Sequence, residues 1–390
     1  MPDAAGPDGP PAGTDRAEAE PAPTDEPDAE AGKTEAGAAG TTEAGTTEAG
    51  DEVEAPPPPR PRRRWRRVLL VSGLVFVLLA AGGAVATYLY ARSVENDVER
   101  VRVFDSVPEE QRPARAPAAR NAINVLVLGS DSRDPDNPTG GSRSDTIIVL
   151  HLAADRSSAQ LVSIPRDTWV HIPKTKDGRR GNVNAKINAA FAWGGVPLMV
   201  QTVEEFTGVR MDHVAIVDFA GFKEIVDALG GVEINVEESF TSTHSLNPDS
   251  IRRFRKGPQV MDGAAALDYA RERFAFADGD FARIRHQQQV IKAILDKAAS
   301  GDLLTNPIRL NAFLRATADA VAVDETLDLF GMAMDLRHLR SGNLAFYTSP
   351  SRGVGEAGDE SIVVADTDRA RVLFDAVRRD DPGGIAAAAG

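Results

Sequence analysis

Cysteine is absent from all 390 residues of the chain. This absence excludes disulfide bonds, cysteine-ligated zinc and a thiol nucleophile. Histidine is scarce, and the six histidines show none of the paired spacings that metal sites use. Basic residues are fewer than acidic ones, so the formal net charge is −14. These totals argue against a protein that coats nucleic acid, and no nucleic-acid partner is expected.

Large apolar side chains are nearly missing from residues 1–59, which consist mainly of Ala, Gly, Pro, Thr and Glu. Fifteen Asp and Glu residues stand there against Arg16 and Lys33, so this segment carries nearly all of the net charge. Such a composition buries too little apolar surface to offset the entropy of ordering the chain. We therefore expect a disordered acidic tail over residues 1–59.

A basic segment and a long uncharged segment follow the tail. Residues 60–67 contain six arginines, and residues 68–91 contain no charge over 24 positions. That length allows a helix to cross the hydrocarbon core of a bilayer. The positive-inside rule keeps the basic flank in the cytoplasm, so we expect a single-pass protein of the cell membrane whose remaining chain lies outside. The alternative is a cleaved signal peptide, which the length of the apolar segment disfavours.

One domain is expected over residues 121–380, after a connector at 92–120 and before a frayed end at 381–390. Apolar runs bounded by turn residues predict strands covered on both faces, at 123–128, 145–152, 160–165, 213–219, 231–236 and 343–348. The expected helices span 186–207, with an interruption around Gly194–Pro197, and 221–229, 262–271, 281–297, 326–339 and 366–378. Strands mixed with covering helices predict an α/β fold, a three-layer α/β/α sandwich with a mixed central sheet.

Charged residues cluster beside these apolar elements. Ligands of open α/β sheets bind beyond the carboxyl ends of the strands, where Asp131 and Arg166 are expected. Taken singly, each cluster has an ordinary explanation, such as a capped turn, a structural ion pair or a solvated charge at a helix end. The clusters are Asp131 with Arg133, Arg143 with Asp145, Arg166 with Asp167, and the arginines of residues 267–289.

The helix expected from Phe281 shows which of its charges share a face. Its apolar stripe consists of Ile284, Ile291, Ile294, Leu295 and Ala298. At about 100° per residue, Arg283 and Gln287 fall together on one shoulder of the stripe, half buried and one turn apart. Arg285 falls on the other shoulder as the more exposed residue, and His286 lies further out on the Arg283 side.

The concurrence of these clusters favours a diphosphate site over four unrelated surface features. Guanidinium groups stay charged and bind phosphate oxygens in pairs. One or two carboxylates among arginines suit Mg²⁺, which prefers oxygen ligands and bridges phosphates. The sequence therefore predicts a pocket for a phosphate–phosphate linkage with Mg²⁺ as the cofactor.

Seven ordered segments of residues 122–295 resemble the LytR-CpsA-Psr family of cell-wall glycopolymer transferases. They read NVLVLGSDSR, SRSDTIIVLHL, VSIPRDTWVHIP, KINAAFAWGG, VDFAGFKEIVDALGGVEINV, MDGAAALDYARER and GDFARIRHQQQVI. The resemblance implies an enzyme of cell wall biogenesis outside the cytoplasmic membrane. The donor of this enzyme is a glycopolymer linked to a polyprenyl pyrophosphate, and the acceptor is a hydroxyl of peptidoglycan. The polyprenyl tail of the donor lies in a hydrophobic tunnel of the enzyme.

The resemblance also implies roles for individual residues. Asp131 and Asp145 match the carboxylates associated with Mg²⁺ and catalysis, and Arg166 is expected to contact the transferring phosphate. One departure is His286, where many members carry Arg, and a phosphate role at that position is in doubt. The phosphate-binding set is matched by Arg143, Arg166, Arg271, Arg273, Arg283 and Gln287, and more weakly by Lys186.

Two other functions stay open beside the transferase. A non-catalytic receptor or scaffold for polyprenyl-diphosphate glycans would use the same pocket. A transcription regulator conflicts with a charged domain outside the membrane and with an acidic tail that phosphate backbones repel. The sequence leaves the polymer (teichoic acid among the candidates), the general base, the oligomeric state and the role of the tail undetermined.

Overall fold

The computed structural model describes residues 92–93, 97–130, 144–242, 251–336, 339 and 341–389. The expected acidic tail, basic segment and membrane helix lie outside these residues, as do Asp131 and Arg143. Within the described ranges, no helix has both the length and the apolar composition needed to cross a bilayer.

A seven-stranded mixed sheet forms the centre of the described domain. Its strands are β1 (Glu99–Val101), β2 (Ile123–Ser130), β3 (Ser144–Leu152), β4 (Ala159–Ser163), β7 (His213–Asp218), β12 (Val321–Asp324) and β13 (Leu344–Thr348). Neighbouring strands pair in the order β1, β12, β7, β2, β3, β4 and β13, and the sheet contains both parallel and antiparallel pairs. The remaining strands pair outside this sheet: β5 (Trp169–Ile172) with β6 (Val183–Lys186), β8 (Val232–Val236) with β11 (Gly257–Met261), β9 (Phe240–Thr241) with β10 (Arg253–Phe254), and β14 (Ser351–Ala357) with β15 (Glu360–Ala365).

The helices follow from amphipathic segments between the strands. They are α1 (Asn188–Thr207), α2 (Phe219–Ala228), α3 (Gly263–Arg271), α4 (Asp280–Ala298), α5 (Gly301–Leu304), α6 (Pro307–Ala320), α7 (Leu329–Leu336), α8 (Thr367–Arg378) and α9 (Pro382–Ala389). The expected interruption of α1 is confirmed, because Gly194 and Gly195 have non-helical dihedrals just before Pro197. Proline lacks the N–H that an unbroken helix would need there.

Successive residues of the central strands point to opposite faces, and each face meets its own helices. On one face, Leu126, Leu128 and Val149 pack into a core with α1, α8 and α9. On the other face, Val127 and Ile148 line a cavity together with residues of α2, α3 and α4. The sheet is therefore buried on both sides, as the apolar runs of β2 and β3 predict.

A hydrogen-bonded cap and close packing position α2, one of the helices that line the cavity. The side chain of Asp218 accepts a hydrogen bond of 2.6 Å from the backbone N–H of Gly221 and so caps this helix. A Cβ on Gly221 would lie 2.4 Å from the Cβ of Ala320 in α6, so only glycine fits at this contact. These two features fix where the first residue of α2, Phe219, projects.

Two expectations at the ends of the domain were wrong. The segment 92–120 is more than a connector, because β1 adds an edge strand to the sheet and Val103 and Val107 enter the main core. The end at 381–390 is not frayed over its described part, because residues 382–389 form α9. Burial of the Ile385 side chain against the core stabilises this last helix.

The strand predicted over 231–236 exists as β8, but it lies outside the central sheet and pairs with β11. Its alternating burial leaves Glu233 and Asn235 exposed, as expected of a hairpin with one face in solvent.

Candidate functional site

Two central strands bring an acidic and a basic side chain together. Asp145 is the second residue of β3, and Arg166 follows Pro165 just beyond the end of β4. A tight turn holds this point, since the carbonyl of Pro165 accepts bonds from both the backbone and the hydroxyl of Thr168. Arg166 Nη1 donates to Asp145 Oδ1, so the predicted cation and carboxylate form a direct pair.

The end of α3 supplies two more arginines. Arg271 is the last residue of this helix, and its guanidinium lies 4.6 Å from the ring centroid of Phe219. Arg273 follows two residues later, and its guanidinium lies 4.4 Å from the ring centroid of Phe274. Each guanidinium is thus fixed by an aromatic ring instead of rotating freely in solvent.

The first turns of α4 complete the cluster. Arg283 Nη2 lies 2.6 Å from Asp280 Oδ1 one turn earlier, and the Arg283 side chain is only 4% exposed. Arg166 Nε lies 3.9 Å from the same oxygen of Asp280. Arg283 was expected to be half buried and is buried, whereas Gln287 has the intermediate exposure expected of it.

These side chains enclose a polar pocket with an empty volume of about 420 Å³, which includes its opening to solvent. Five of the predicted phosphate-binding residues meet there, together with the predicted catalytic Asp145. The lining residues are Asp145, Thr146, Arg166, Phe219, Arg271, Arg273, Arg283 and Gln287.

The electrostatics of the pocket are set by burial and by its own carboxylates. Burial lowers the pKa of Arg166, but Asp145, Asp167 and Asp280 together outweigh it, so that this pKa lies above the ordinary value. Burial raises the pKa of Asp280 despite the opposing effect of Arg283. Burial lowers the pKa of Arg283, and the nearby charge of Asp280 raises this pKa again only in part. The pocket therefore holds charged groups in a place that disfavours charge, as active sites often do.

Several buried polar atoms of the pocket lack a hydrogen-bond partner among the described residues. They are Arg166 Nε, Arg271 Nη1 and Arg283 Nε. A buried donor without an acceptor costs about 1–3 kcal/mol, and more when it is charged. Three unsatisfied guanidinium donors in one pocket indicate a site that oxygen acceptors of a ligand would complete.

An apolar cavity adjoins this pocket. It lies between the sheet and helices α2, α3 and α4, and its empty volume is about 840 Å³ with its opening included. Four residues line both spaces: Thr146, Phe219, Arg271 and Gln287. The other walls of the cavity are mainly aliphatic and aromatic, including Val127, Ile148, Phe222, Ile225, Leu267, Val290, Ile291 and Ile294.

The donor chemistry of the pocket fits Mg²⁺ held jointly with a ligand. No group of three His, Cys, Asp or Glu residues in the described part of the chain is placed to hold a metal ion. Mg²⁺ commonly uses one or two carboxylates and takes its other ligands from phosphates and water. Asp145 lines the pocket, and the carboxylate of Asp280 forms an ion pair with Arg283, which lines the same pocket.

Not every predicted residue is placed in the pocket. Lys186 is not among its lining residues, and its Nζ lies 3.4 Å from Glu360 Oε2. Asp131 and Arg143 lie outside the described residues, although the strand ends beside them, Ser130 and Ser144, are paired with each other. Arg285 is half exposed and pairs with Asp278, as expected of a surface residue.

The placement of His286 away from the apolar side of α4 was wrong. This ring is 5% exposed and stacks on Tyr269, with centroids 4.2 Å apart, and on Phe240, with centroids 5.6 Å apart. Burial first, and then the charge of Arg285, lowers the pKa of His286 to about 4. The ring is therefore neutral at pH 7 and acts as part of an aromatic cluster.

Sequence reasoning missed Asp280 and Phe219 as members of the site. Asp280 stands three residues before Arg283, a spacing that places both on the same side of a helix, and this signal could have identified it. Phe219 had no comparable signal, because its contact with Arg271 joins two helices that are distant in sequence.

A model of the LytR_cpsA_psr family matches residues 85–377, which contain the whole pocket. The chain belongs to the LytR-CpsA-Psr family. The cell wall biosynthesis protein LcpA of Corynebacterium glutamicum is 31% identical over 293 residues, which are 66% of this chain and 56% of LcpA. This chain therefore spans little more than half the length of that relative.

Two further relatives agree with membership of the LytR-CpsA-Psr family. The polyisoprenyl-teichoic acid–peptidoglycan teichoic acid transferase TagU of Bacillus cereus is 34% identical over 241 residues, covering 60% of this chain and 72% of TagU. The crystal structure of B. subtilis TagV superposes with a TM-score of 0.54 at 25% identity, covering 68% of this chain and 98% of TagV. The mixed α/β fold of this chain is thus shared with TagV.

Proposed function

We propose that this chain transfers a glycopolymer phosphate from a polyprenyl pyrophosphate carrier to a hydroxyl of peptidoglycan. The observation that carries the proposal is the shared wall between the arginine pocket and the apolar cavity. One substrate with an anionic linkage and a long apolar tail matches both spaces at once. Similarity to TagU, a teichoic acid transferase, and to LcpA, a cell wall biosynthesis protein, supports the same substrate class.

The apolar cavity is the proposed entrance of the lipid tunnel, within a three-layer arrangement of helices on both faces of the sheet. Only two of its lining residues are charged: Arg271, on the wall shared with the arginine pocket, and Asp218, at the start of α2. The remaining lining residues suit a hydrocarbon chain. The tail would bury its apolar surface there, which contributes about 25 cal/mol per Å² removed from water. The diphosphate at the head of the same molecule would then lie against Arg271.

The reaction forms one phosphorus–oxygen bond and breaks another. The acceptor hydroxyl oxygen attacks the phosphorus that bears the glycan, and the bridging bond to the polyprenyl phosphate breaks. The leaving polyprenyl phosphate keeps the electron pair, and the hydroxyl proton passes to a carboxylate or to solvent. Asp145 is the described carboxylate that lines the pocket, and it is the proposed group for orienting that hydroxyl.

The arginines would stabilise the charge that develops on the leaving group. Phosphoryl transfer depends mainly on positioning and charge neutralisation, so preorganised donors are the main requirement. Arg166, held by Asp145 and facing Asp280, is the proposed contact of the transferring phosphate. Bound Mg²⁺ would neutralise phosphate charge beside Asp145, with Asp131 as the second proposed ligand.

The proposed location of the reaction is the outer side of the cytoplasmic membrane. The uncharged residues 68–91 would anchor the chain, and the arginines of residues 60–67 would stay in the cytoplasm.

Arg166→Ala tests the proposal directly. Transfer of labelled glycan phosphate from a polyprenyl diphosphate donor to peptidoglycan should fall about 100- to 1000-fold, because a preorganised charge contact is lost. Arg378→Ala, which removes a half-exposed arginine of α8, is the matched control and should retain full transfer. Binding of the donor by the unchanged chain without any transfer would instead favour the receptor function.

A further inference from the structure

Phe274 is a large aromatic side chain that the fold leaves 61% exposed, directly after a residue that lines the arginine pocket. Exposure alone has little weight, since Ile308 is 80% exposed and Val354 is 70% exposed elsewhere on the surface. The position of Phe274 distinguishes it from these residues. It directly follows Arg273, which lines the pocket and stacks against the Phe274 ring.

The backbone that carries Phe274 is held by a buried carboxylate. Glu272 is fully buried at the end of α3, and its Oε1 accepts hydrogen bonds from three successive backbone N–H groups. These donors belong to Arg273, Phe274 and Ala275, at 2.9, 2.8 and 3.1 Å. The ring is therefore presented from a constrained turn, which lowers the entropy that a ligand contact would cost.

The lining residues give the site a direction. The apolar cavity is bordered by Arg271 and Gln287, which also line the arginine pocket. Arg273 lines the arginine pocket but not the apolar cavity, so it lies away from the wall that the two spaces share. Phe274 lines neither space, and its ring contacts the Arg273 guanidinium, so the ring lies on the side of the arginine pocket and not on the shared wall.

The parts of a donor molecule follow one another in the same order as these sites, if the chain has the proposed function. Its lipid tail enters the apolar cavity, its diphosphate meets the arginines, and its first sugar leaves the pocket on the remaining side. Sugar rings present a face of C–H groups that packs on aromatic rings, while their hydroxyls remain hydrated. An exposed ring next to a phosphate-binding arginine suits this contact, whereas a hydrocarbon tail already has an enclosed site.

We propose that Phe274 is the platform on which the first sugar of the donor stacks, beside the phosphate that is transferred. The ring and Arg273 together would recognise the sugar–phosphate junction of the carrier. Phe274 would thus favour a diphosphate that bears a pyranose over the bare lipid diphosphate.

Binding of two probes to the full chain in detergent tests this proposal. One probe is farnesyl diphosphate, and the other is farnesyl diphosphate with one N-acetylglucosamine on its terminal phosphate. Phe274→Ala should weaken binding of the sugar-bearing probe roughly three- to tenfold, the range typical of one aromatic contact. Binding of the sugar-free probe should stay within about twofold. Phe274→Tyr should restore the affinity, and Phe274→Leu should not, since the contact needs an aromatic face.

The other outcomes separate this proposal from the proposed function. Equal losses for both probes would show that Phe274 acts only by positioning Arg273, which overturns the sugar contact. Unchanged donor binding with a raised KM for the peptidoglycan acceptor would assign the ring to the acceptor and overturn the donor contact. Failure of the unchanged chain to bind either probe would overturn the proposed function itself. Ile308→Ala is the control for loss of an exposed apolar side chain and should change neither affinity.

Discussion

The two faces of the central sheet differ in how completely they are filled, although both consist of aliphatic side chains. On the face toward α1 and α8, Phe191, Met199 and Phe374 are all fully buried. On the face toward α2, α3 and α4, the walls border a cavity whose empty volume is about 840 Å³, its opening to solvent included. Strand composition alone therefore does not decide where a fold leaves room for a ligand.

The difference comes from what covers each face. On the closed face, bulky side chains of α1 and α8 are fully buried against the sheet, among them Phe191 and Phe374. The open face has small residues where it meets the arginine pocket, among them Gly129 and Ala270. A Cβ on Gly129 would lie 2.8 Å from the Cβ of Thr146, so the strands approach too closely there for a larger side chain.

The largest effect is expected from truncation on the closed face. Phe374→Ala should lower the free energy of unfolding by roughly 3–5 kcal/mol, because it leaves a cavity beside Phe206. Equilibrium unfolding in urea measures this loss. Val372→Ala on the same helix removes a side chain that is 57% exposed and should cost less than about 0.5 kcal/mol. Equal losses in the two variants would mean that the closed face is not tightly packed.

Enlarging adjacent residues of β3 compares the two faces on one strand. Val149→Phe points into the closed face and should cost roughly 1–3 kcal/mol of unfolding free energy through overpacking. Ile148→Phe points into the cavity, which has room for the ring, and should cost less than about 1 kcal/mol. It should nevertheless weaken binding of farnesyl diphosphate by occupying the proposed lipid space. Similar stability losses at the two positions would remove the contrast between the faces.

The open side should also be the more sensitive to acid, through His286. Its folded pKa of about 4 lies below the ordinary value of 6.5, so folding favours the neutral ring. The stability it contributes is complete above pH 6.5 and is lost as the pH falls toward 4. Between pH 7.5 and pH 5 the unchanged chain should lose about 2 kcal/mol relative to His286→Phe, whose ring does not titrate. Urea unfolding at the two pH values measures the difference, and parallel losses in both proteins would exclude His286 as the cause.

The smallest effect is expected from Arg285, which shares α4 with the site but faces solvent. Arg285→Ala breaks the ion pair with Asp278 and should cost less than about 1 kcal/mol of unfolding free energy. Donor binding should be unchanged, whereas Arg283→Ala, two residues earlier, should abolish it. A large binding defect in Arg285→Ala would extend the site to the outer side of this helix.

The central strands could be predicted because both of their faces are buried. In β2 and β3 this burial produces apolar runs that no surface element would carry. The short strands β1 and β12 could not be predicted in the same way, because β1 has only three residues, two of them exposed, and β12 has only four residues. Their strand conformation comes from pairing with each other and, for β12, with β7, which local sequence does not record.

The arginines that line the pocket were predictable from the matching family segments, but their neighbours were not. The stripe drawn on α4 assumed a single packing partner, and it placed His286 outside and Leu295 inside. In the structure, α4 contacts both the cavity and the aromatic cluster around Phe240, and Leu295 is 38% exposed. A helix with two partners buries more than one stripe, so a one-stripe model misplaces residues at its margins.

The shared wall between the two spaces would also govern how a turnover ends. Once the bridging bond breaks, the spent carrier would still have its tail among aliphatic side chains and its remaining phosphate beside Arg271. Bond cleavage leaves both of these contacts in place. Free polyprenyl monophosphate would therefore compete with the next donor as a product inhibitor.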